Sequence, residues 1–455
     1  PVFLRPRRFG KSLWCSTLEC YYDINRKEKF NSLFGKTWIG QHPTQLKNSF
    51  MVLRFNFSEV SVKPDTAFIE KSFNVTQGAS FDLFLHNYAD YLGPVANLSD
   101  MPLGDRLKKI LSLVKALNLP PLYIIIDEYD NFTNQLITTR NDDLYKELTT
   151  GDSFLRSFFK VIKSGIELQS IGKVFITGVL PITIDDLTSG FNIAQIITLQ
   201  KQFVNMLGFT HRETKEYLDH VFESYGFDSA RMPEILEIME NHYDGYRFLP
   251  DVEETLYNST IVTFFLQHLV VNGGDIPREL IDDNLKTDVS WIQRLATIKE
   301  NTDAMMDALV FDNCLEYDLK QLVSKFSMHQ FFERDYYPVS LFYLGMVTIK
   351  SRYAMALPNN TLREIFVDYY NDLNKYEVSK GYTKMFEQFA RDGDLEQLFA
   401  GYYEKYLGMF PAQAWDKINE NFVRCSFYEL CVRYHSWDFT FSMEVNYPSG
   451  RSDWE

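Results

Sequence analysis

The first residues of the chain are Val2-Phe3-Leu4-Arg5-Pro6-Arg7-Arg8-Phe9-Gly10-Lys11-Ser12-Leu13. A short apolar run enters a loop that ends in Gly-Lys-Ser. The apolar residues that follow have the three-to-four spacing of a helix: Leu13, Cys15, Leu18, Tyr21 and Tyr22. The stretch therefore predicts a strand, a loop and a helix in that order, which is the setting of a phosphate-binding loop.

The chemistry of such a loop assigns a role to each part of it. Backbone N–H groups of the loop and of the first helical turn point at phosphates. Lys11 would neutralise the β- and γ-phosphates, and the Ser12 hydroxyl would hold Mg²⁺. The residues that we expect to contact the nucleotide are Arg7, Arg8, Phe9, Gly10, Lys11, Ser12 and Leu13.

The entrance of this loop departs from the usual pattern. The position that is normally the first glycine is Arg5, and Pro6 follows it. Arginine takes a positive φ only at a cost, so we expect the entrance to be built differently. Arg7 and Arg8 have two interpretations: a solvated basic turn, or additional charge on the nucleotide phosphates or on a neighbouring subunit.

A second stretch, Leu122-Tyr123-Ile124-Ile125-Ile126-Asp127-Glu128-Tyr129-Asp130, is an apolar run that ends in acids. Such a run predicts a buried parallel strand. Ligands of open α/β sheets bind at the carboxyl ends of the strands, where these acids would lie. Asp127 is the candidate for holding Mg²⁺ through water, and Glu128 for orienting or deprotonating an attacking water. The alternative is that the acids only end the strand.

Five motifs together resemble the AAA-ATPase-like family: RPRRFGKS, IIIDEYD, FITGVLPIT, NHYDGYRF and YPVSLFYLGMVTI. The resemblance covers nearly the whole chain, and the arginine-rich loop is a habit of that family. It implies a C-terminal domain of the restriction-endonuclease-like PD-(D/E)XK superfamily. It also implies that Thr177, at the end of the apolar run Val174–Gly178, contacts the γ-phosphate or the attacking water. The alternative for Thr177 is a strand end without a ligand.

The order of predicted elements gives the fold class. We predict an α/β P-loop NTPase with a mostly parallel sheet covered on both faces, in residues 1–205. Residues 13–34 read as one helix, and Ile196–Leu199 as a stretch that closes the sheet. Thr210 and Glu213 form a capping-box pattern that opens a helix. The resemblance implies that residues 206–271 form a helical lid over the nucleotide. Arg212 and Arg247 are candidate lid or finger arginines, although each is more commonly an ordinary structural arginine.

The best linker signal is Asn272–Pro277, and a mostly helical middle region is expected over residues 272–410. Residues 411–455 are then expected to form a partial nuclease-like domain. By the family resemblance, Asp453 is its metal acid and Glu420 the preceding helix acid. The chain starts without Met and stops at Glu455, so the sequence suggests that it is cut at both ends and lacks the catalytic Glu-x-Lys.

Composition limits the classes of protein that need to be considered. With 455 residues, 45% of them hydrophobic and 16% aromatic, the chain has ample core material. The net charge is −15, so the chain lacks the broad basic surface that a dedicated nucleic-acid binder has. The five cysteines have no metal-type pairing, which favours a reducing, cytoplasmic or nuclear compartment. No apolar run reaches the roughly 18 residues of a membrane span.

These observations favour an ATP-binding protein that hydrolyses ATP with Mg²⁺, coupled to a nuclease-like domain. One alternative is a nucleotide-gated switch or scaffold with little turnover. Another is a nucleic-acid-processing protein in which the ATPase regulates the nuclease. The partners that the sequence suggests are ATP, a nucleic acid at the C-terminal domain and further copies of the chain.

Overall fold

The computed structural model describes residues 1–95, 98–187, 193–277, 280, 291, 299–324, 326–376, 381–435, 443–447 and 450–454. The chain forms two compact units. The first contains Pro1–Leu207 together with Lys320–Tyr336, and the second contains Gly208–Leu319 and Tyr337–Glu455. A segment that follows much of the second unit in the sequence therefore packs with the first.

The strands, in chain order, are β1 (Val2–Leu4), β2 (Met51–Asn56), β3 (Leu122–Asp127), β4 (Ile171–Gly178), β5 (Leu315–Glu316), β6 (Thr348–Ile349), β7 (Ala354–Ala356), β8 (Met443–Tyr447) and β9 (Gly450–Trp454). The first four form a parallel sheet in the order β1-β4-β3-β2. The others form a three-stranded antiparallel sheet, β5-β7-β6, and the hairpin β8-β9.

The α-helices of the first unit's leading part are α1 (Lys11–Tyr22), α2 (Phe30–Phe34), α3 (Trp38–Gln41), α4 (Thr66–Asn87), α5 (Ala89–Leu92), α6 (Leu103–Ala116), α7 (Asn131–Thr138), α8 (Asp142–Thr149), α9 (Phe154–Glu167) and α10 (Ile182–Asp186). Those that follow are α11 (His211–Tyr225), α12 (Met232–Tyr243), α13 (Ser259–Val271), α14 (Lys299–Val310), α15 (Leu319–Val323), α16 (Met328–Phe331), α17 (Tyr337–Leu344), α18 (Asn360–Asn374), α19 (Gly381–Asp392), α20 (Leu395–Lys405), α21 (Ala412–Trp415) and α22 (Glu420–His435). Within the described parts of the chain, none of these helices combines the length and apolarity that crossing a membrane requires.

The parallel sheet confirms the predicted α/β class. Every residue of β3 is buried, as expected for a strand that helices cover on both faces. Neighbouring strands run in the same direction, so Leu4, Asn56, Asp127 and Gly178 all end at one edge of the sheet. The loop between β1 and α1 and the acids at the end of β3 lie at that edge.

One predicted helix is interrupted. Residues 13–34 were expected to be continuous, but α1 ends at Tyr22 and a 3₁₀ segment, Ile24–Lys29, separates it from α2. Asp23 is extended, and its carboxylate accepts hydrogen bonds from the Asn25 N–H and the Tyr88 hydroxyl. The Ile24 N–H bonds the Phe50 carbonyl, so contacts with the residue that precedes β2 replace the helical bonds there.

The stretch expected to close the sheet, Ile196–Leu199, contributes only an isolated parallel bridge between Ile196 and Val2. Side-chain bonds explain why the ladder stops. The Leu4 N–H donates to the Thr198 hydroxyl at 2.7 Å instead of to a strand carbonyl. This edge of the sheet is therefore held by a side chain and by one bridge.

The second unit has a helical core of its own, formed mainly by α11, α12 and α13. Its members include Leu218, Ile235, Met239 and Phe265. The predicted capping box is present, because Thr210 accepts from the Glu213 N–H and the Glu213 carboxylate accepts from the Thr210 N–H. The helix α11 therefore begins where the sequence indicated.

The stretch Tyr243–Phe248, to which the sequence assigns no role, contacts residues about 100 positions further along the chain within the second unit. Gly245 has φ 97°, and a Cβ on it would collide with the Pro358 carbonyl oxygen. The Asn359 side chain donates to the Asp244 carbonyl at 2.8 Å, and the Arg247 N–H donates to the Thr348 hydroxyl at 2.6 Å. Glycine is required here because the two backbones approach closely.

We predict that Gly245→Ala destabilises the protein by about 3 kcal/mol, from positive φ and overpacking together. Gly226→Ala is the matched control, since Gly226 also has a positive φ of 70° but has open space around a Cβ. The control should cost only about 1 kcal/mol. Denaturant unfolding of both variants measures the difference, and equal losses would contradict the collision.

Candidate functional site

The loop between β1 and α1 has a defined left-handed geometry. Arg8 and Gly10 have φ values of 70° and 85°. The first intrahelical bond joins the Trp14 N–H to the Gly10 carbonyl at 3.0 Å, so α1 begins directly after the loop. Arg8 is a non-glycine residue in a region that costs on the order of 1–2 kcal/mol, which marks the loop as a strained segment.

Lys11 points back into the loop. Its ammonium donates to the carbonyls of Arg5 and Pro6 at 3.1 and 2.9 Å, and the residue is only 4% exposed. Burial lowers the pKa of Lys11, while the nearby carboxylates of Glu128, Asp130 and Asp127 oppose that decrease. The structure thus brings the lysine of the loop into the electrostatic range of the acids at the end of β3.

Arg5 shows how the loop is built without its first glycine. Its side chain is 1% exposed, and its guanidinium donates to the carbonyls of Val204 at 2.6 Å and Phe203 at 3.3 Å. Its central carbon lies 4.5 Å from the centre of the Phe3 ring. Arg5 anchors the loop entrance to the segment after the sheet, and the left-handed positions fall later in the loop.

Asp127 is fully buried at the end of β3. Its Oδ2 accepts from Arg54 of β2 at 3.0 Å. Its Oδ1 has no hydrogen-bond partner among the described residues. A buried carboxylate oxygen without a partner is costly, and such an atom is commonly reserved for a ligand, an ion or water.

Glu128 adopts the left-handed conformation, with φ 51°. Its Oε2 accepts from the Asn131 side chain at 2.9 Å, and its carbonyl accepts from the Asn131 N–H at 3.0 Å. The turn carries the chain sharply away from the sheet and leaves the Glu128 carboxylate partly exposed, next to the buried Asp127.

Thr177 lies at the end of the central strand β4, in register with Phe3 of β1. Its carbonyl accepts from the Tyr129 N–H at 3.0 Å. Its hydroxyl is buried and has no hydrogen-bond partner in the described part of the chain. Thr177 is thus held between the strands that carry the loop and the acids.

Asp130, the last acid of the stretch, accepts hydrogen bonds mainly from backbone N–H groups. Its carboxylate accepts from the Leu180 N–H at 2.7 Å, from the Val179 N–H at 3.1 Å and from the Asn134 side chain at 2.7 Å. Burial raises the pKa of Asp130, and these hydrogen bonds oppose the rise. A Cβ at Gly178 would collide with this carboxylate, which explains the glycine after Thr177.

The other predicted contact residues differ in how accessible they are. Phe9 is 1% exposed, so its side chain cannot reach a ligand as the residue now lies, whereas Leu13 is 73% exposed. In the second unit, Arg212 lies 3.9 Å from Glu216 on the surface, and Arg247 donates to the Glu253 carbonyl. These contacts agree with the structural interpretation of the two arginines.

The oxygen atoms at this edge fit Mg²⁺. The unpartnered Oδ1 of Asp127 and the exposed Ser12, whose hydroxyl makes no hydrogen bond with described residues, are hard oxygen donors of the kind that Mg²⁺ prefers. No group of three His, Cys, Asp or Glu side chains suited to a metal occurs among the described residues. Few protein ligands are expected where substrate phosphates and water complete the coordination.

Sequence reasoning missed Arg54 and Asn131, which hold the two acids at the end of β3. Arg54 had a usable signal, since it is a charge within the apolar run Met51–Phe55. It reads equally well as the solvent face of an alternating strand. Nothing in the pattern pairs it with an acid 73 positions away.

A parallel sheet whose first strand leads through Gly-Lys-Ser into a helix, and whose third strand ends at Asp127 with Glu128 directly after it, has the fold of the P-loop class. Residues 1–188 match the model of the AAA-ATPase-like family, described as predicted AAA-ATPase. No curated protein matches the chain. The Walker-type ATPase of Pyrococcus abyssi is similar in structure, with a TM-score of 0.40 and 12% identity, over 80% of this chain and 90% of that one.

The model of the expected family thus matches residues 1–188, less than half of the chain, and no comparison shows a nuclease-like C-terminal domain. Asp453 lies in β9, between Ser452, which pairs with Val445, and Trp454, which pairs with Met443. Glu420 is the first residue of α22. Their nuclease roles stay predictions from the sequence.

We predict that Asp130→Ala destabilises the protein by about 3 kcal/mol, because it leaves the Val179 and Leu180 N–H groups without an acceptor. Asp152→Ala is the control, since that carboxylate is 96% exposed and pairs with Lys160 on the surface. Its effect should stay within about 1 kcal/mol. Chemical denaturation measures the stability of both variants. A small loss of stability for Asp130→Ala would show that its hydrogen bonds to the Val179 and Leu180 N–H groups contribute little.

Proposed function

We propose that residues 1–207 bind ATP with Mg²⁺ at the carboxyl edge of the sheet and hydrolyse it. The observation that carries the proposal is the arrangement of Lys11, held inside the loop by two carbonyls, within electrostatic range of Asp127 and Glu128. The match of residues 1–188 to a family of predicted AAA-ATPases supports the same assignment.

In this proposal the loop backbone and Lys11 receive the phosphates. Ammonium–phosphate contacts would replace the two carbonyl contacts of Lys11, and the left-handed turns leave N–H groups of the loop for phosphate oxygens. Ser12 and Asp127 would hold Mg²⁺, which when bound offsets charge on the β- and γ-phosphates.

Glu128 is the base or orienting group for the attacking water. Its left-handed backbone separates it from Asp127, so the two adjacent carboxylates have different surroundings: one buried against Arg54, the other partly exposed. Asn131 holds the Glu128 carboxylate in position. Thr177 would contact the water or the γ-phosphate with its hydroxyl, which has no hydrogen-bond partner in the described part of the chain.

We predict that Lys11→Ala weakens ATP binding by about 10- to 100-fold, as expected for loss of a charged hydrogen bond. Lys160→Ala is the control, because Lys160 is half exposed and pairs with Asp152. Calorimetric titration gives the affinities, and thermal melting checks that both variants are folded. Equal affinity in wild type and a folded Lys11→Ala protein would rule out this site.

We predict that Glu128→Gln retains ATP affinity and lowers turnover by about 10²- to 10⁴-fold, because it keeps the shape and removes the base. Asp127→Asn should instead weaken the Mg²⁺-dependent part of binding. Binding and turnover are measured for both variants with and without EDTA. Wild-type turnover in both variants would refute these roles. ATP binding without turnover in the wild type would favour the nucleotide-gated switch.

A further inference from the structure

Arg54 joins the two halves of the proposed site. It lies on β2, and its guanidinium donates to the Ser16 hydroxyl at 2.7 Å and to the Ser12 carbonyl at 3.3 Å. On its other side it pairs with Asp127 Oδ2 at 3.0 Å. One side chain therefore connects the first turns of α1 to the acid at the end of β3.

Among the described residues, Arg54 is the cation in direct contact with the Asp127 carboxylate, while Lys11 acts on it over a longer range. Asp127 is 0% exposed, and a buried carboxylate without a cation or hydrogen bonds is strongly disfavoured. Among the described residues Arg54 is the one that hydrogen-bonds the Asp127 carboxylate, and Oδ1 has no such partner. Arg54 therefore provides the positive charge that a metal ion would otherwise bring to this carboxylate.

Arg54 has partners besides Asp127. Glu19 Oε2 lies 3.6 Å from it, and the contacts with Ser16 and the Ser12 carbonyl are both on α1. The arginine is about one quarter exposed, whereas Asp127 is not. Asp127 therefore depends more on the ion pair than Arg54 does, because the guanidinium has solvent and other acceptors for its charge.

We propose that Arg54 is the counter-ion of Asp127 in the metal-free protein and competes with Mg²⁺ for that carboxylate. The competition rests on the proposed function, in which Asp127 holds the metal. Two cations on one carboxylate repel each other, so the Arg54 charge lowers the affinity for Mg²⁺. The same charge stabilises the protein when no metal is present. Arg54 thus raises the concentration of free Mg²⁺ that is needed to load the site.

The first test measures stability without metal. Arg54→Met keeps much of the side-chain volume and removes the charge, and in EDTA it should lower the melting temperature by about 5 °C. In an Asp127→Asn background the same substitution should cost less than half as much, because no buried charge remains to be balanced. Arg26→Met, which breaks a 3.6 Å pair with Asp23, is the control and should give equal losses in both backgrounds.

The second test measures Mg²⁺ affinity directly. With a fluorescent ATP analogue bound, titration with Mg²⁺ should give about tenfold tighter binding for Arg54→Met than for the wild type. Arg54→Lys should lie between them, since it keeps the charge but not the fork that reaches both Ser16 and Asp127.

Two results would overturn the proposal. Equal melting losses for Arg54→Met in the wild-type and Asp127→Asn backgrounds would mean that Arg54 only ties β2 to α1. Unchanged or weaker Mg²⁺ binding in a folded Arg54→Met protein would mean that it does not compete with the metal. Failure of the wild type to bind the nucleotide would instead contradict the proposed function and the competition with it, while the EDTA comparison would still decide the counter-ion role.

Discussion

The constraint on which the site depends is the crowding of three carboxylates at the end of one buried strand. Asp127 is the last residue of β3, and Glu128 and Asp130 follow within three positions, at an edge where burial penalises charge. Each is accommodated differently. Asp127 is paired with the Arg54 guanidinium, Glu128 turns outward to Asn131, and Asp130 accepts backbone N–H groups. These three sets of contacts determine the geometry at this edge of the sheet.

The backbone carries part of the cost of this arrangement. Arg8 and Glu128 are non-glycine residues with positive φ, each in a region that costs on the order of 1–2 kcal/mol. Bonds on both sides over-determine the turns: the Tyr129 N–H is fixed to the Thr177 carbonyl, and Arg5 is fixed to the carbonyls after the sheet. Strain of this kind persists where the surroundings hold it, and both instances lie at the proposed phosphate and water positions.

Local patterns in the sequence were sufficient for the strand–loop–helix unit and for the acid-tipped strand. Hydrophobic runs and the Gly-Lys-Ser signature act over a few residues, so they predict β1, α1, β3 and β4 well. The break at Asp23 was missed because its causes, Phe50 and Tyr88, lie far along the chain. The partners of Arg54 and Arg5 were missed for the same reason. Periodicity reports which face of an element is apolar, but not which distant group meets a charge.

Gly245 and Asp453 show two limits of family resemblance: it can mark a residue without giving it a role, and it can give a role that the structure does not test. The resemblance singled out Tyr243–Phe248 without a reason, and the contact of Gly245 with Pro358 supplies a structural one. For Asp453 the resemblance supplied a role, and the described backbone of β9 adds only its place in a hairpin. A motif marks a position in the sequence, whereas the contacts of the residue at that position show its structural role.

The same crowding of acids bears on the ligand. A polyphosphate arriving alone would meet the Glu128 carboxylate as a like charge beside the Arg54–Asp127 pair, with Lys11 already shared among two carbonyls and three carboxylates in its range. Repulsion between unit charges 4–6 Å apart amounts to about 3–4 kcal/mol at an effective dielectric constant near 20. In the proposed function, a divalent cation between phosphate and Asp127 converts that repulsion into attraction. Magnesium dependence would then be a consequence of where the acids lie, with Asp130 excluded from it because backbone N–H groups already satisfy its carboxylate.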